Sequence, residues 1–151
     1  MSLEVITTIS PTTGEPILKR NGASAQDLQQ ITTVATSSFE SWRTTSLEHR
    51  QGIVQKALKI LASRKDELAM ELTVQMGRPI AFTPGEIATA IKRAEYLVKI
   101  SGDALADTDG DAEKGFKRFI RKVPVGPVLI IFAWNVSTIP TEDKLEVYLI
   151  P

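Results

Sequence analysis

The pattern of apolar and polar residues predicts a β-hairpin at the start of the chain. Two short runs rich in Ile, Val and Thr, Glu4–Ile9 and Glu15–Leu18, have the composition of strands. Residues 10–14 between them read Ser-Pro-Thr-Thr-Gly, in which proline and glycine favour a chain reversal. We therefore expect these two runs to pair with each other.

Three stretches with helical spacing follow the hairpin. In each of them apolar residues recur three or four positions apart, which places them on one face of an α-helix. We predict three amphipathic helical stretches, the second with a break near Ser63. The apolar positions are Leu28, Ile31, Val34 or Ala35, Phe39 and Trp42 in the first, Leu47, Ile53, Val54, Ala57, Leu58, Leu61, Leu68, Leu72 and Met76 in the second, and Ile87, Ala90, Ile91, Ala94, Leu97 and Val98 in the third.

Residues beside these stretches predict where the helices begin and end. Ser24 and Asp27 suit a first turn, because a hydroxyl accepts a free backbone N–H and a carboxylate suits the positive end of the helix dipole. Glycine suits a helix end, because it accepts the left-handed conformation often needed there. The remaining boundaries are an end near Arg43, a start at Ser46, an end at Gly77, a turn at Pro84-Gly85 and an end at Gly102.

The last third of the chain predicts a loop and two strands. Residues 103–115 are polar and acidic and are expected to form the loop. Phe116–Val123 mixes basic and apolar residues, whereas Val128–Trp134 is almost wholly apolar and is preceded by prolines and a glycine. A continuous apolar run of this length is typical of a strand buried on both faces of a parallel sheet. The pattern as a whole indicates an α/β fold.

Composition and charge exclude several classes of function. The chain has 151 residues, of which 42% are hydrophobic, with 18 basic and 18 acidic side chains. This balance gives no net field that would attract nucleic acid or anionic lipid, so neither is expected as a partner. No secretory signal or run of roughly 18 apolar residues is visible, and we expect a cytoplasmic protein.

Two charged segments carry alternative interpretations. Asp107, Asp109 and Asp111 have the spacing that opens a calcium loop, but Ala112 and Arg118 stand where such a loop needs glycine and glutamate, so a solvated acidic loop is favoured. The five Lys and Arg residues between positions 114 and 122 alternate with phenylalanines, as in some surfaces that bind nucleic acid. An exposed strand in a neutral protein is the favoured interpretation.

Isolated acidic and histidine residues do not form a convincing catalytic or metal site. Glu67 and Glu71 lie one helical turn apart, but neighbouring Arg64 and Lys65 indicate a solvated helix face. His49, the only histidine, is expected to be a surface residue in the first turn of a helix. We predict no metal site.

The chain contains no cysteine, which excludes disulfides, thiolate metal sites and cysteine nucleophiles within it. Neither of the two common glycine-rich nucleotide fingerprints, G-x-x-x-x-G-K-[ST] and G-x-G-x-x-G, occurs. From the residues alone, the prediction therefore stops at a soluble α/β domain.

Five segments resemble, in order, motifs of the aldehyde dehydrogenase family. The resemblance runs from about Ile9 to Asn135 and corresponds to the first part of a much longer family chain. The segments are Ser10–Glu15 (family N-P-x-T-G-E), Ala35–Trp42 (A-x-x-A-F-x-x-W), Arg50 with Leu68–Leu72 (R-x-x-x-L…E-E-L-A), Met76–Pro79 (x-G-K-P) and Pro124–Asn135 (P-V-G-V-V-G-x-I-x-P-W-N).

The resemblance implies a fold and a reaction. The fold is the amino-terminal part of an aldehyde dehydrogenase, with a short hairpin, amphipathic helices and the first strand of a parallel cofactor-binding sheet. The family oxidises an aldehyde to a carboxylic acid with NAD or NADP, using a cysteine thiolate and a glutamate that activates water. Asn135 takes the position of the asparagine that stabilises the oxyanion. Ile131, Phe132, Ala133 and Trp134 take the positions that lie against the cofactor, with Ala133 in place of the usual proline.

The resemblance also implies that this chain is incomplete. Residues 1–135 are assigned to the dehydrogenase domain and residues 136–151 to a divergent tail. Because the cysteine and the glutamate region are missing, we expect neither activity nor cofactor binding from this chain alone. The alternative is a non-catalytic module that docks onto a full-length relative through the helices and Val128–Trp134. A second copy of the chain or such a relative is the expected partner, with an aldehyde as substrate only in a complete enzyme.

Overall fold

The predicted hairpin is present at the start of the structure. The computed structural model describes residues 5–130. Strand β1 (Val5–Ile9) pairs antiparallel with β2 (Pro16–Asn21), with an irregularity between Thr8 and Ile9. The second strand extends beyond the predicted end at Leu18, because Lys19, Arg20 and Asn21 pair with the first residues of β1.

The first helix, α1 (Ala25–Trp42), begins and ends where the sequence predicts. The Ser24 hydroxyl accepts from the Asp27 backbone N–H at 3.1 Å, and the Asp27 carboxylate accepts from the Ser24 backbone N–H at 2.8 Å. These reciprocal bonds satisfy first-turn donors that have no partner within the helix. Hydrogen bonding from the Ser24 hydroxyl and backbone lowers the pKa of the Asp27 carboxyl, which keeps the charged form in place.

The second predicted stretch is divided into two helices, α2 (Leu47–Ser63) and α3 (Lys65–Met76). The predicted break near Ser63 is thereby confirmed, and it falls at Arg64, whose backbone departs from helical geometry with φ −104° and ψ 14°. Gly77 ends α3 in the left-handed conformation, with φ 70°, as the sequence predicts.

The fourth helix, α4 (Thr83–Leu105), differs from the prediction at both ends. Pro84 and Gly85 lie within its first turn rather than in a preceding turn, because the missing N–H of a proline has no partner to lose there. Gly102 lies inside the helix rather than at its end. Buried Ser101 and partly buried Leu105 lie on either side of this glycine and pack in the core, which offsets the helix-weakening effect of glycine.

Helix α4 forms the centre of the core and packs against both α2 and α3. The main cluster joins Val54 and Leu58 of α2 to Ala94 and Val98 of α4. Two polar contacts add to this packing. Gln51 Nε2 donates to Ser101 Oγ at 2.8 Å, and the hydroxyls of Thr73 and Thr83 lie 3.2 Å apart. These bonds fix the register between α4 and its two neighbours.

The region after α4 contains less strand than the sequence predicts. The expected loop at 103–115 includes the end of α4 and strand β3 (Thr108–Asp109), which pairs with β4 (Phe119–Ile120). The predicted strand Phe116–Val123 is therefore wrong except for Phe119 and Ile120, which form β4. The physical reason is a tight reversal at the start of this segment. Gly115 has φ 87°, and the Phe116 backbone N–H donates to the Glu113 carbonyl, so Phe116 closes the turn.

The predicted apolar strand Val128–Trp134 is only partly described. Residues 128–130 are not in a strand, and residues 131–134 lie outside the described part of the chain. Among residues 5–130, none of the helices combines the length and the apolar composition needed to cross a lipid bilayer.

Candidate functional site

The residues that the sequence assigns to the catalytic and cofactor sites lie just past the described region. Asn135 and Ile131–Trp134 all fall outside residues 5–130, so their positions stay predictions. The segment that leads to them is described through Ile130. In it Gly126 has φ 118°, a conformation open to glycine but strained for other residues.

This leading segment exposes apolar side chains. Val125 is 81% exposed and Leu129 is 85% exposed, although both belong to the apolar stretch that precedes the predicted site. Aliphatic side chains gain free energy when they are removed from water. We expect this exposure if the parts of the fold that would cover Val125 and Leu129 lie outside the described residues.

Two of the family-like segments meet at the end of α3. The turn between β1 and β2, which contains Ser10–Glu15, lies against Gly77 of the Met76–Pro79 segment. A Cβ at Gly77 would lie 3.0 Å from Pro11 Cγ and 3.4 Å from Thr12 Oγ1. Only glycine therefore allows both the left-handed backbone and this close approach. The sequence motifs are thus linked by a specific contact between the hairpin and the helices.

Two further family-like segments meet across a cavity. Arg50, at the start of α2, and Pro124, at the start of the last segment, both line a space of about 260 Å³. Leu105 and Ala106 at the end of α4 also line it, as does Lys122. The cavity therefore lies between the helical core and the chain that leads towards Asn135.

Arg50 carries a buried charge among the described residues. The residue is only 9% exposed, and its Nε and Nη1 atoms are buried without a hydrogen-bond partner. Burial lowers the pKa of the guanidinium, and the nearby charge of Glu48 opposes that shift. Arginine nevertheless stays charged in proteins, so the cavity has a positive wall.

Sequence reasoning matched Arg50 to a family motif but did not predict its burial. A signal was present in the periodicity, because Arg50 lies three residues after Leu47 and four before Val54, on the apolar stripe of α2. A charged residue at a core position needs either a partner or a ligand. Two buried nitrogens of Arg50 have no such partner among the described residues.

The acidic and basic segments after α4 pair with each other. The guanidinium of Arg121 donates to both carboxylate oxygens of Asp107, the shortest contact being 2.7 Å, and this bonding lowers the pKa of Asp107. Arg118 forms an ion pair with Glu113. Arg121 also lies 4.8 Å from the centre of the Phe119 ring. Two of the basic side chains in this region therefore pair with acidic side chains that precede them in the chain.

The remaining candidate residues lie on the surface, as predicted. His49 is exposed in the first turn of α2, and its backbone N–H donates to Ser46 Oγ at 3.2 Å. Glu67 and Glu71 are exposed on α3, and Glu67 accepts from Arg64 Nε at 2.8 Å. Within residues 5–130, no group of three or more His, Asp or Glu side chains has an arrangement that could hold a metal ion.

Comparison of the sequence with protein families gives a match along nearly all of the chain. The model of the aldehyde dehydrogenase family matches residues 1–149. Among curated proteins, the chain is 28% identical over 127 residues to succinate semialdehyde dehydrogenase [NAD(P)+] Sad of Escherichia coli strain K12. That match covers 84% of this chain and 27% of the relative.

Solved structures of similar fold cover 97% of the chain. An NADP-dependent enzyme from E. coli superposes with a TM-score of 0.88 at 21% identity, and the match covers 31% of that protein. PnpE from Pseudomonas sp. WBC-3 superposes with a TM-score of 0.89 at 22% identity, over 30% of its length. PnpE has also been solved in complex with nicotinamide adenine dinucleotide.

A putative aldehyde dehydrogenase from Burkholderia cenocepacia superposes with a TM-score of 0.89 at 22% identity, over 97% of this chain and 30% of that protein. These matches confirm the predicted fold class, an incomplete α/β domain similar to the matching part of that structure. The chain spans about a third or less of the length of the proteins it matches. Since the family model extends from residue 1 to residue 149, this chain belongs to the aldehyde dehydrogenase family.

Proposed function

We propose that residues 1–135 are the amino-terminal part of a catalytic domain that oxidises an aldehyde to a carboxylic acid with NAD or NADP. The observation that carries this proposal is the family match along residues 1–149. The contact of the hairpin with Gly77 supports it, because it joins two of the segments through which the chain resembles the family.

Asn135 is the residue of this chain proposed to act on the reacting atoms. Its side-chain amide would donate to the oxygen of the aldehyde as negative charge develops there, which can be worth about 3 kcal/mol in a dry site. Residues Ile131, Phe132, Ala133 and Trp134 would form the surface against which NAD or NADP lies. The bound cofactor supplies the hydride acceptor.

The proposal requires a nucleophile that this chain does not contain. With no cysteine among its 151 residues, the chain alone has no thiol to form the covalent adduct from which the family transfers hydride. Two thirds or more of each matched protein lies outside the part that this chain covers. The thiol would come from the region that corresponds to that remainder.

We predict that the purified chain does not reduce NAD or NADP with any aldehyde. The absorbance of the reduced cofactor is followed over time, with the full-length E. coli succinate semialdehyde dehydrogenase as positive control. Turnover that exceeds a blank without protein, and that disappears when the chain is removed, would contradict the requirement for an added thiol.

A non-catalytic docking role is the second candidate, and the exposed face of α1 favours it. Leu28, Ile31 and Val34 are 55–60% exposed, and α1 has no buried residue in the described part of the chain. An apolar helix face of this kind is a common contact for a partner. If docking is the function, the chain forms a stable complex with a full-length relative in size-exclusion chromatography, and Ile31→Lys abolishes that complex.

A further inference from the structure

The cavity between the start of α2, the end of α4 and residues 122–124 has the size of a small-ligand site. Its volume is about 260 Å³. A water molecule occupies about 30 Å³ in the liquid, so the space holds several waters or a small ion with part of its hydration shell. Leu47 and Leu105 give the cavity apolar walls.

Two cationic side chains give the same cavity a positive charge. Arg50 is nine-tenths buried, and two of its nitrogens have no acceptor in the described structure. Lys122 Nζ donates to the carbonyl of Ala104 at 2.6 Å, which uses one of the three hydrogens of its ammonium group. The start of α2, beside Arg50, adds the partial positive charge of a helix amino terminus.

A buried cation whose donors are not hydrogen-bonded to a counter-charge is costly, because the hydration that it loses is not replaced. Glu48 is the acidic side chain that acts on Arg50, but it is exposed to water and does not hydrogen-bond to the guanidinium. An anion in the cavity would supply the missing charge. Guanidinium and ammonium groups bind the oxygens of carboxylates and sulfates through charge-assisted hydrogen bonds.

We propose that this cavity binds a small free oxyanion, held by Arg50 and Lys122. Its residues differ from those assigned to the proposed chemistry, Asn135 among them, and the inference does not depend on the proposed function. The proposal predicts that small carboxylate or sulfate ions stabilise the described helices by binding at this cavity. The stabilisation should exceed the effect of ionic strength alone.

Thermal unfolding of the whole chain tests the proposal. Sodium acetate and sodium sulfate are titrated against sodium chloride at matched ionic strength. A defined site gives a saturable rise in Tm of about 3–5 °C at ten times Kd. General stabilisation by salt instead rises without saturation. A rise that does not saturate, or that chloride reproduces, would overturn the proposal.

Matched variants assign the site to its residues. Arg50→Gln removes the buried cation and is expected to abolish the saturable rise. Arg43→Gln, which changes an exposed arginine directly after α1, leaves the rise unchanged. Lys122→Gln changes an exposed residue and is expected to weaken binding about tenfold, which keeps the test decisive if Arg50→Gln does not fold. Equal titration midpoints in wild type and Lys122→Gln would overturn the proposed site.

Discussion

Asn135 is the residue on which the proposed chemistry of this chain depends. We predict that Asn135→Ala, in a chimera where residues 1–135 replace the matching segment of E. coli succinate semialdehyde dehydrogenase, lowers kcat by about 10²–10³. Affinity for the cofactor should stay nearly constant, because the lost hydrogen bond is made to the developing oxyanion. Steady-state kinetics with varied cofactor measures both quantities.

The other asparagine of the chain provides a matched control for this variant. Asn21 ends β2 and is exposed, so Asn21→Ala makes the same chemical change far from the proposed site along the chain. It is expected to leave kcat unchanged. An unchanged kcat in Asn135→Ala would remove the oxyanion role.

Some residue-level features follow from the sequence and others do not. Ser24 and Asp27 are close in sequence, so their capping interaction is encoded locally and was predictable. The burial of Arg50 depends on α4 and residues 122–124, which are far away in the chain. The position of Arg50 on the apolar stripe of α2 indicates that this charge is buried. The cavity beside it could not be predicted, because residues far apart in the chain form its walls.

At the scale of the elements, Gly77 connects α3 to the hairpin. We predict that Gly77→Ala lowers the free energy of unfolding by about 1–2 kcal/mol, because alanine is strained in the left-handed conformation. Its Cβ also meets Pro11 at 3.0 Å. Chemical denaturation measured by circular dichroism gives the change.

Gly52 provides the opposite result for the same substitution. It lies inside α2, and apart from its chain neighbours and the backbone of its own helix, a Cβ there meets no described atom within 4 Å. Gly52→Ala is therefore expected to raise the free energy of unfolding by about 0.5–1 kcal/mol. If both variants changed stability in the same direction, the specific role of Gly77 would be refuted.

The elements that the sequence predicts best are those with local boundary signals. The cap at Ser24 and the stop at Gly77 each act within one helical turn, and both are confirmed. Pro84-Gly85 was misassigned, because the same residues suit a turn and the first turn of a helix. The strand Phe116–Val123 was overextended, because strand length depends on a partner, and β3 offers only Thr108 and Asp109.

At the scale of the whole molecule, the exposed apolar surface predicts self-association. The α1 face remains open among the described residues, and Leu129 is 85% exposed within the apolar run Val128–Trp134. Seven apolar residues without a charge or proline have the composition of segments that pair with copies of themselves as β-strands. Light scattering across a concentration series is expected to show growing mass. A monomer of constant mass with a cooperative melt would contradict this prediction.

The central claim is that this chain forms the amino-terminal part of an aldehyde dehydrogenase catalytic domain. The most direct test is NAD(P)-dependent aldehyde oxidation by the chimera that carries residues 1–135 on the remainder of the E. coli relative. The account predicts cofactor reduction by the chimera, and none by that remainder alone. A chimera that folds and binds NAD or NADP but does not oxidise succinate semialdehyde, while the parent relative does, would contradict the claim.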